Sequence, residues 1–553
     1  MRDWNGLLTQ LTPEKAADFR SQGYWAEDRL CHQVDEAVLR TPERAAVVDR
    51  GGSTSYVELQ RLSHVVAAGL AGLGVRPGDV VSWQLPNRLE VVTLMVACTR
   101  LGAVFNSLAP IFREREVSTM LALGAPKVVV TVESFRDFDH AKMMSSIARS
   151  LPEIPTVVVI DGAGGDLGWP QLLSDGEARL DAEGPVDAGT SADAVAQLAF
   201  TSGTTGEPKG ILHTHNSLYY GGRVIVERRE LTADGVYHMA STLGHQTGIL
   251  FGILAPIHLG ATMVLQDVWD AGDYLDMVEA NGVTMTNGAT PYLQDTLERA
   301  DFAARDTTTL RQVGCFGSGF PSPLARRAAE MLPDVEFYGI WGMTEVGLAT
   351  SHSPGDPREI VCDTDGHAVF PIEVAIRSDD LTEELGPDEE GEMVVRGPSR
   401  HLGFLQPGLA PSHFLDGDWY VTGDRGRIRS DGRLVMTTRS KDIIIRGGEN
   451  IPVLEVENVL IEHPDVWSAA VVAVPDERLG EKACACLVLR HGASFDLAEL
   501  RRWLAEKKVT RQFWPEYVQV YPEFPVTPSG KIKKFALREQ VAAIATGPIG
   551  RGA

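Results

Sequence analysis

Short apolar runs and helix-length amphipathic runs alternate along most of this chain, and that alternation restricts the fold more than any other feature. Ser55 with Glu58 forms a capping-box pattern ahead of the amphipathic stretch Tyr56 to Leu73. Pro77-Gly78 marks a turn, and Val80 to Leu85 reads as a strand. Asn87 with Glu90 opens a second helical run to about Arg100. Ala103 to Phe105, Lys127 to Val132 and Thr156 to Ile160 continue the series as buried strands. Strands separated by helix-length segments pair in parallel, with helices on the sheet faces. The predicted class is therefore α/β. A chain of 553 residues exceeds a single core, so at least two domains are expected. The pattern restarts late: Leu454 to His463 is helical, Val466 to Val474 and Lys482 to Arg490 are strands, and Asp496 with Glu499 caps Leu497 to Lys507. That is a small α+β unit, with a boundary near Arg439-Ser440-Lys441-Asp442, although two strands joined by a polar segment also fit one domain.

Charge and composition remove several classes of function. With 51 basic and 75 acidic residues the net charge is −24, which argues against nucleic acid as a partner. It leaves a small phosphate ligand open, because local loops and a metal ion set the potential at a small site. The six cysteines are scattered, and Cys484 and Cys486 would share one face of a strand as small buried hydrophobes. A reduced, cytoplasmic compartment is expected. The first residues hold no apolar signal segment, and the most apolar long stretch, Gly248 to Leu265, is broken by Pro256 and three glycines. A buried helix and strand is predicted there, and no stable membrane insertion.

One ten-residue run carries the chemistry: Thr201-Ser202-Gly203-Thr204-Thr205-Gly206-Glu207-Pro208-Lys209-Gly210, behind the strand-like Val195 to Phe200. Glycines let successive backbone N–H groups turn toward one point, and hydroxyls and a lysine add donors there. A polyanionic phosphate is the natural guest, while a plain Gly/Thr surface turn is the bland alternative. A Walker loop is excluded, since Lys209 is followed by Gly210 rather than a hydroxyl. Further along, Gly317-Ser318-Gly319-Phe320-Pro321 follows a strand-like segment, and Trp341-Gly342-Met343-Thr344-Glu345, Trp419-Tyr420-Val421-Thr422-Gly423-Asp424, Gly447-Gly448-Glu449-Asn450 and Thr527-Pro528-Ser529-Gly530-Lys531 stand out as dense polar or Gly-rich blocks.

These blocks, in this order, resemble the signatures of the adenylate-forming superfamily of acyl-CoA synthetases, luciferases and peptide-synthetase adenylation domains. The resemblance runs from about Thr54 to Arg538. It implies a large N-terminal domain, residues 1–438, of parallel-rich sheets with packed helices, and a small α+β C-terminal domain, residues 439–553, that moves. It implies ATP, Mg2+ and CoA as ligands. Thr201, Ser202, Gly203, Thr204, Thr205 and Lys209 would cradle phosphates; Gly317, Ser318 and Gly319 would lie along the adenine. Trp341, Gly342 and Met343 belong to the aromatic-Gly-x-Thr-Glu block, in which Thr344 would bond the α-phosphate and Glu345 would hold magnesium. Tyrosine is the commoner aromatic there; Trp341 keeps the stacking face and loses a phenol hydroxyl. Asp424 would accept from the ribose hydroxyls, Arg439 would contact nucleotide, and Lys441 matches the hinge pivot. Gly447 and Gly448 would let the pantetheine arm pass, and Lys531 matches the catalytic lysine. His245 matches the gating position beside the acyl tunnel, with Gly288 in a neighbouring wall.

The implied reaction is attack of a carboxylate on the α-phosphate of ATP, followed by thiolysis of the acyl-adenylate. The presumed acid-binding segments, Gly244 to Leu254, Asn287 to Leu293 and Gly314 to Gly319, contain no clear cation, so an uncharged, largely apolar acid is expected. The region Gly248 to Trp269 looks most like cyclohexanecarboxylate and medium-chain acyl-CoA ligases. Aryl-acid ligases carry a His-Asn-aromatic run where this chain has His238-Met239-Ala240. Two rivals remain: an enzyme that loads a carrier protein in trans, and a non-catalytic nucleotide sensor. Partners are otherwise small molecules, with self-association as a homodimer left open.

Overall fold

The computed structural model describes residues 3–202, 208–316, 322–415, 418–439, 444–446, 449–451, 453–476, 480–507, 509, 511–526 and 532–546. Two large sheets organise the first four hundred of them. An eight-stranded sheet runs Gly403–Phe404, Pro208–Thr214, Val195–Ser202, Val104–Leu108, Val80–Gln84, Val128–Thr131, Thr156–Val159, Leu167–Gly168. From Val195–Ser202 to its far edge, all neighbouring strands are parallel. A nine-stranded sheet carries Val236–Met239, Thr262–Leu265, Met285–Ala289, Gln312–Phe316 and Glu336–Met343 in parallel, with antiparallel strands only at its ends. Parallel pairing needs helical crossovers, and their packing joins both sheets in one apolar core that includes Trp83, Phe105, Tyr220, Phe251 and Tyr338.

Local signals placed most elements. Ser55 accepts from the Glu58 backbone N–H and starts the helix Tyr56–Gly72; Asp496 does the same through Glu499 for the helix Leu497–Glu506. The helix expected from Asn87 instead begins at Leu89. Asn87 is buried, and its amide is spent elsewhere: Nδ2 donates to the carbonyls of Ser241 and Gln266 at 3.0 Å each, and Oδ1 accepts from Leu243 N at 2.8 Å. It ties the two large sheets together rather than capping a helix. The stretch Gly248 to Leu265 is a buried helix with a π-turn at Leu250–Leu254, followed by the strand Thr262–Leu265. No helix among the described residues is long and apolar enough to cross a membrane.

A third, antiparallel sheet spans Glu373–Arg377 to Leu434–Arg439, and a fourth opens at Ile444–Arg446. The third sheet is last seen at Arg439 and the fourth first at Ile444; Ser440, Lys441 and Asp442 of the expected boundary lie outside the described residues. The fourth sheet has cores of its own, one around Ile444, Val456, Leu487 and Leu504, the other around Cys484, Cys486, Phe524 and Leu537. Cys484 and Cys486 are buried free thiols, as their strand positions implied. Arg490 of this unit reaches Glu298 at 3.0 Å, a carboxylate that Arg327 also approaches at 3.4 Å.

Candidate active site

Three sheets bring one polar side chain each to one place, the cleft: Lys209 from the eight-stranded sheet, Glu345 from the turn that ends the parallel part of the nine-stranded sheet and Asp424 from the antiparallel third sheet, with the charges of Lys209 and Asp424 both acting on the Glu345 carboxyl. Strands Val195–Ser202 and Pro208–Thr214 pair antiparallel, with Thr201 opposite Lys209 and Ser202 opposite Pro208. The strand expected to end at Phe200 continues two residues further, through Thr201 and Ser202, because this pairing carries it. Gly203, Thr204 and Thr205 fall outside the described residues.

Trp341, Gly342 and Met343 end the strand Glu336–Met343, which turns back into Gly347–Ser351 through Thr344, Glu345 and Val346. The turn needs glycine: a Cβ on Gly342 would stand 2.1 Å from the Gly347 carbonyl oxygen. Two buried histidines fix its backbone. The Nε2 of His213 donates to the Thr344 carbonyl at 2.8 Å, and His401 gives the Glu345 carbonyl both its backbone N–H, at 2.7 Å, and Nδ1–H, at 3.0 Å. A carbonyl can only accept, so these ring nitrogens carry the protons. Burial drives the His213 pKa down to about 4 and that of His401 well below its ordinary value, so both rings are neutral at neutral pH.

Glu345 is only 6% exposed. Burial pushes its carboxyl pKa up; the charge of Lys209 and a hydrogen bond from the Tyr420 hydroxyl pull the other way. Asp424 accepts at Oδ2 from the Trp341 indole N–H at 2.9 Å. The tryptophan therefore replaces the lost phenol with another donor, and that donor holds the carboxylate expected at the ribose. Asp365 lies nearby, with Oδ2 accepting from Met436 N at 2.8 Å. Burial and the neighbouring Asp424 charge raise its pKa to about 6. The Lys209 ammonium meets His413 Nε2 at 2.7 Å.

Among the remaining candidates, Arg439 closes the strand Leu434–Arg439 opposite Asp424. Gly317, Ser318, Gly319, Lys441, Gly447, Gly448 and Lys531 lie outside the described residues. His245 is the half-buried N-cap position of the helix Gln246–Ile249. Gly288 lies on the wall of a cavity between the nine-stranded sheet and the helices Ala271–Asn281 and Thr290–Leu297. The Tyr292 ring occupies the space above it, 2.6 Å from where a Cβ would be, and stacks on Trp269 at 4.2 Å. No Lys, Arg, Asp or Glu lines this cavity.

The presumed acid-binding segments do not share one wall. Strand alternation puts His238, Thr286, Val313 and Gly288 on the cavity face. Leu250, Phe251 and Leu254 pack into the main core on the other face, where Phe251 meets Phe316 at 4.8 Å. Sequence reasoning also missed His213, His401, His413 and Tyr420. Of these only Tyr420 sat inside a recognised block; the histidines are brought together by strand pairing, which leaves no spacing signature.

The chain resembles known proteins over most of its length. The AMP-binding enzyme family matches residues 34–405, and the AMP-binding enzyme C-terminal domain matches residues 455–531. The chain is 33% identical to the medium-chain fatty-acid–CoA ligase of Escherichia coli K12, over 96% of this chain and 93% of the relative. It is 34% identical to the salicyl-AMP ligase / salicyl-S-ArCP synthetase of Mycobacterium tuberculosis, over 98% of this chain and 96% of that one. The crystal structure of an anthranilate CoA ligase with anthranoyl-AMP superposes with a TM-score of 0.85 at 23% identity, covering 94% of this chain and 98% of that one, which establishes the shared fold. With its three-sheet cleft, this chain belongs to the AMP-binding enzyme family, whose members have the adenylate-forming fold.

Proposed function

We propose that this protein is an AMP-forming acid–thiol ligase that couples an apolar medium-chain, alicyclic or aromatic carboxylic acid to the α-phosphorus of ATP and then passes the acyl group to CoA. The observation that carries this reading is the convergence of Lys209, Glu345 and Asp424 from three separate sheets on one cleft. In that cleft the loop Thr201 to Lys209, with Ser202, Gly203, Thr204 and Thr205, takes the phosphates. Gly317, Ser318 and Gly319 take the adenine edge, Asp424 takes the ribose hydroxyls, and Arg439 adds a contact to the nucleotide.

Glu345 fits a magnesium ion. A carboxylate buried this deeply is held at a cost that a hard cation relieves. An ion held by one carboxylate would keep phosphate oxygens and water as its other ligands. Magnesium supplies charge neutralisation on the phosphates. The rest falls to the protein. Thr344 orients the α-phosphate, and Lys531 meets the charge that grows on its oxygens as the acid attacks. His245 and Gly288 flank the acid. Pyrophosphate leaves, and the acyl-adenylate is open to a thiol. Residues 439–553 then turn about Lys441, withdrawing Lys531 and presenting Gly447 and Gly448 to the pantetheine arm. Free thiols in six described cysteines suit the cytoplasm.

A second acceptor has a specific observation behind it: the 34% identical mycobacterial relative is named as loading an aryl carrier protein. A panel of carboxylic acids scored for pyrophosphate release, with CoA and with a phosphopantetheinylated carrier protein in parallel, tests both. Acids of about six to ten carbons should be turned over, with CoA as the better acceptor. Release with acetate or very long chains alone would reject the substrate class, and product only with the carrier would reassign the acceptor.

A further inference from the structure

The segment Phe404 to Tyr420 grips Lys209 in a way that the phosphate-loop motif does not account for. The side-chain amide of Gln406 brackets the lysine along the backbone: Oε1 accepts from Gly210 N at 3.0 Å, and Nε2 donates to Pro208 O at 2.9 Å. Leu405 N adds a bond to Gly210 O at 2.8 Å. The lysine's backbone is thus fixed on both sides.

Its ammonium is fixed as well. His413 Nδ1 lies 2.7 Å from the Leu409 carbonyl, so Nδ1 carries the proton. In the neutral ring Nε2 is then a lone pair, and Lys209 Nζ donates to it at 2.7 Å. Aromatic neighbours flank the ring: Tyr420, centroids 6.1 Å apart and planes 21° from parallel, and Phe404 at 5.3 Å. Tyr420 in turn hydrogen-bonds Glu345. Among the described residues no ion pair joins Lys209 to Glu345, although the lysine's charge acts on that carboxyl. An uncharged acceptor therefore holds the ammonium aside and leaves the carboxylate to other ligands.

We propose that His413, with Gln406, is a positioning residue for Lys209: a neutral imidazole dock that pre-aims the ammonium at the incoming ATP phosphates and keeps it from collapsing onto Glu345. This rests on the reading that Lys209 contacts ATP phosphate. His413 acts only through Lys209 and touches no reacting atom. A lysine left free would spend its rotamer entropy on each binding event; a docked one has already lost it.

A double-mutant cycle on the full chain tests the proposal, read by equilibrium binding of MgATP without acid and by steady-state kinetics with it. His413→Phe keeps the stacked ring and removes both nitrogens. It should weaken MgATP binding and raise the KM for ATP about tenfold, the size of one charged hydrogen bond, with the KM for the acid and the melting temperature unchanged. Added to Lys209→Ala it should cost nothing further, and His413→Gln, whose Oε1 can accept from the ammonium, should recover much of the loss. Full additivity with Lys209→Ala, an equal rise in both KM values, or unaltered MgATP binding would each overturn it. If His413→Phe does not fold, His413→Leu against His413→Gln carries the same contrast. Because binding is measured without acid, the cycle still reads the dock if no acid is ever adenylated.

Discussion

The cleft of residues 208–439 and the unit of residues 444–546 are built on different terms. In the cleft the polar groups that converge are tied to named partners: Asp424 to the Trp341 indole, Glu345 to Tyr420, the Thr344 and Glu345 carbonyls to two neutral histidines. The C-terminal unit carries separate cores; its helix Val453–Ile461 lies against the strand Leu434–Arg439, and among the described residues Arg490 pairs with Glu298 at 41% and 25% side-chain exposure. Charge divides in the same way. Residues 1–439 hold 60 acidic and 36 basic residues, and residues 440–553 hold 15 of each, so the whole excess of 24 negative charges lies in the first part. An acidic first part beside a neutral unit with cores of its own is consistent with the proposed scheme, in which Lys531 serves only the first half-reaction.

The largest effect that could break this contrast is at Lys531. Lys531→Ala should slow acid-dependent pyrophosphate release by about 10²–10³-fold and leave thiolysis of supplied acyl-adenylate nearly intact. Equal loss of both half-reactions would place the lysine in a fixed site rather than on a moving unit. Next is the rigidity of the cleft. Trp341→Phe keeps an aromatic face and removes the indole donor from Asp424, so the KM for ATP should rise about tenfold with acid KM unchanged. A variant with wild-type ATP KM would mean that the indole bond holds nothing the nucleotide needs.

A smaller, pH-dependent effect is expected at Asp365. Folding raises this carboxyl from 3.8 to about 6, so the folded chain holds the proton more tightly than the unfolded one. The stability gained from the neutral form is complete below about pH 4 and is lost as pH rises through 6. Asp365→Asn cannot ionise. Its melting temperature should match the wild type at low pH and exceed it at pH 8; a difference that does not vary with pH would contradict the assignment. The smallest effect belongs to the joint between the regions. Arg490→Ala should change stability by under about 1 kcal/mol and lose even that at high salt, which urea titrations in low and high salt would show. A larger, salt-insensitive loss would mean that the unit is locked in place.

Much of this was legible from local patterns. Ser55 and Asp496 announced their helices because capping is settled within three residues. The strands between residues 80 and 160 followed from apolar alternation with helix-length spacers. Asn87 misled because its amide bonds to residues more than 150 positions away, which outweighs a capping pattern four residues long. Lys209, Glu345 and Asp424 were visible as motif residues, but not what holds them. His413 and Lys209 are 204 residues apart and meet only because Gly403–Phe404 pairs with Pro208–Thr214. Likewise, the split of the acid-binding segments depends on which face of each strand points to which layer, and one residue of register reverses that.

The most direct measurement is the fate of a carboxylate oxygen. With a turned-over acid labelled with ¹⁸O in its carboxyl group, the account predicts that one labelled oxygen appears in the phosphate of AMP after acyl transfer, because the acid attacks the α-phosphorus. Label in inorganic phosphate with ADP as the nucleotide product, or AMP with no label at all, would contradict it.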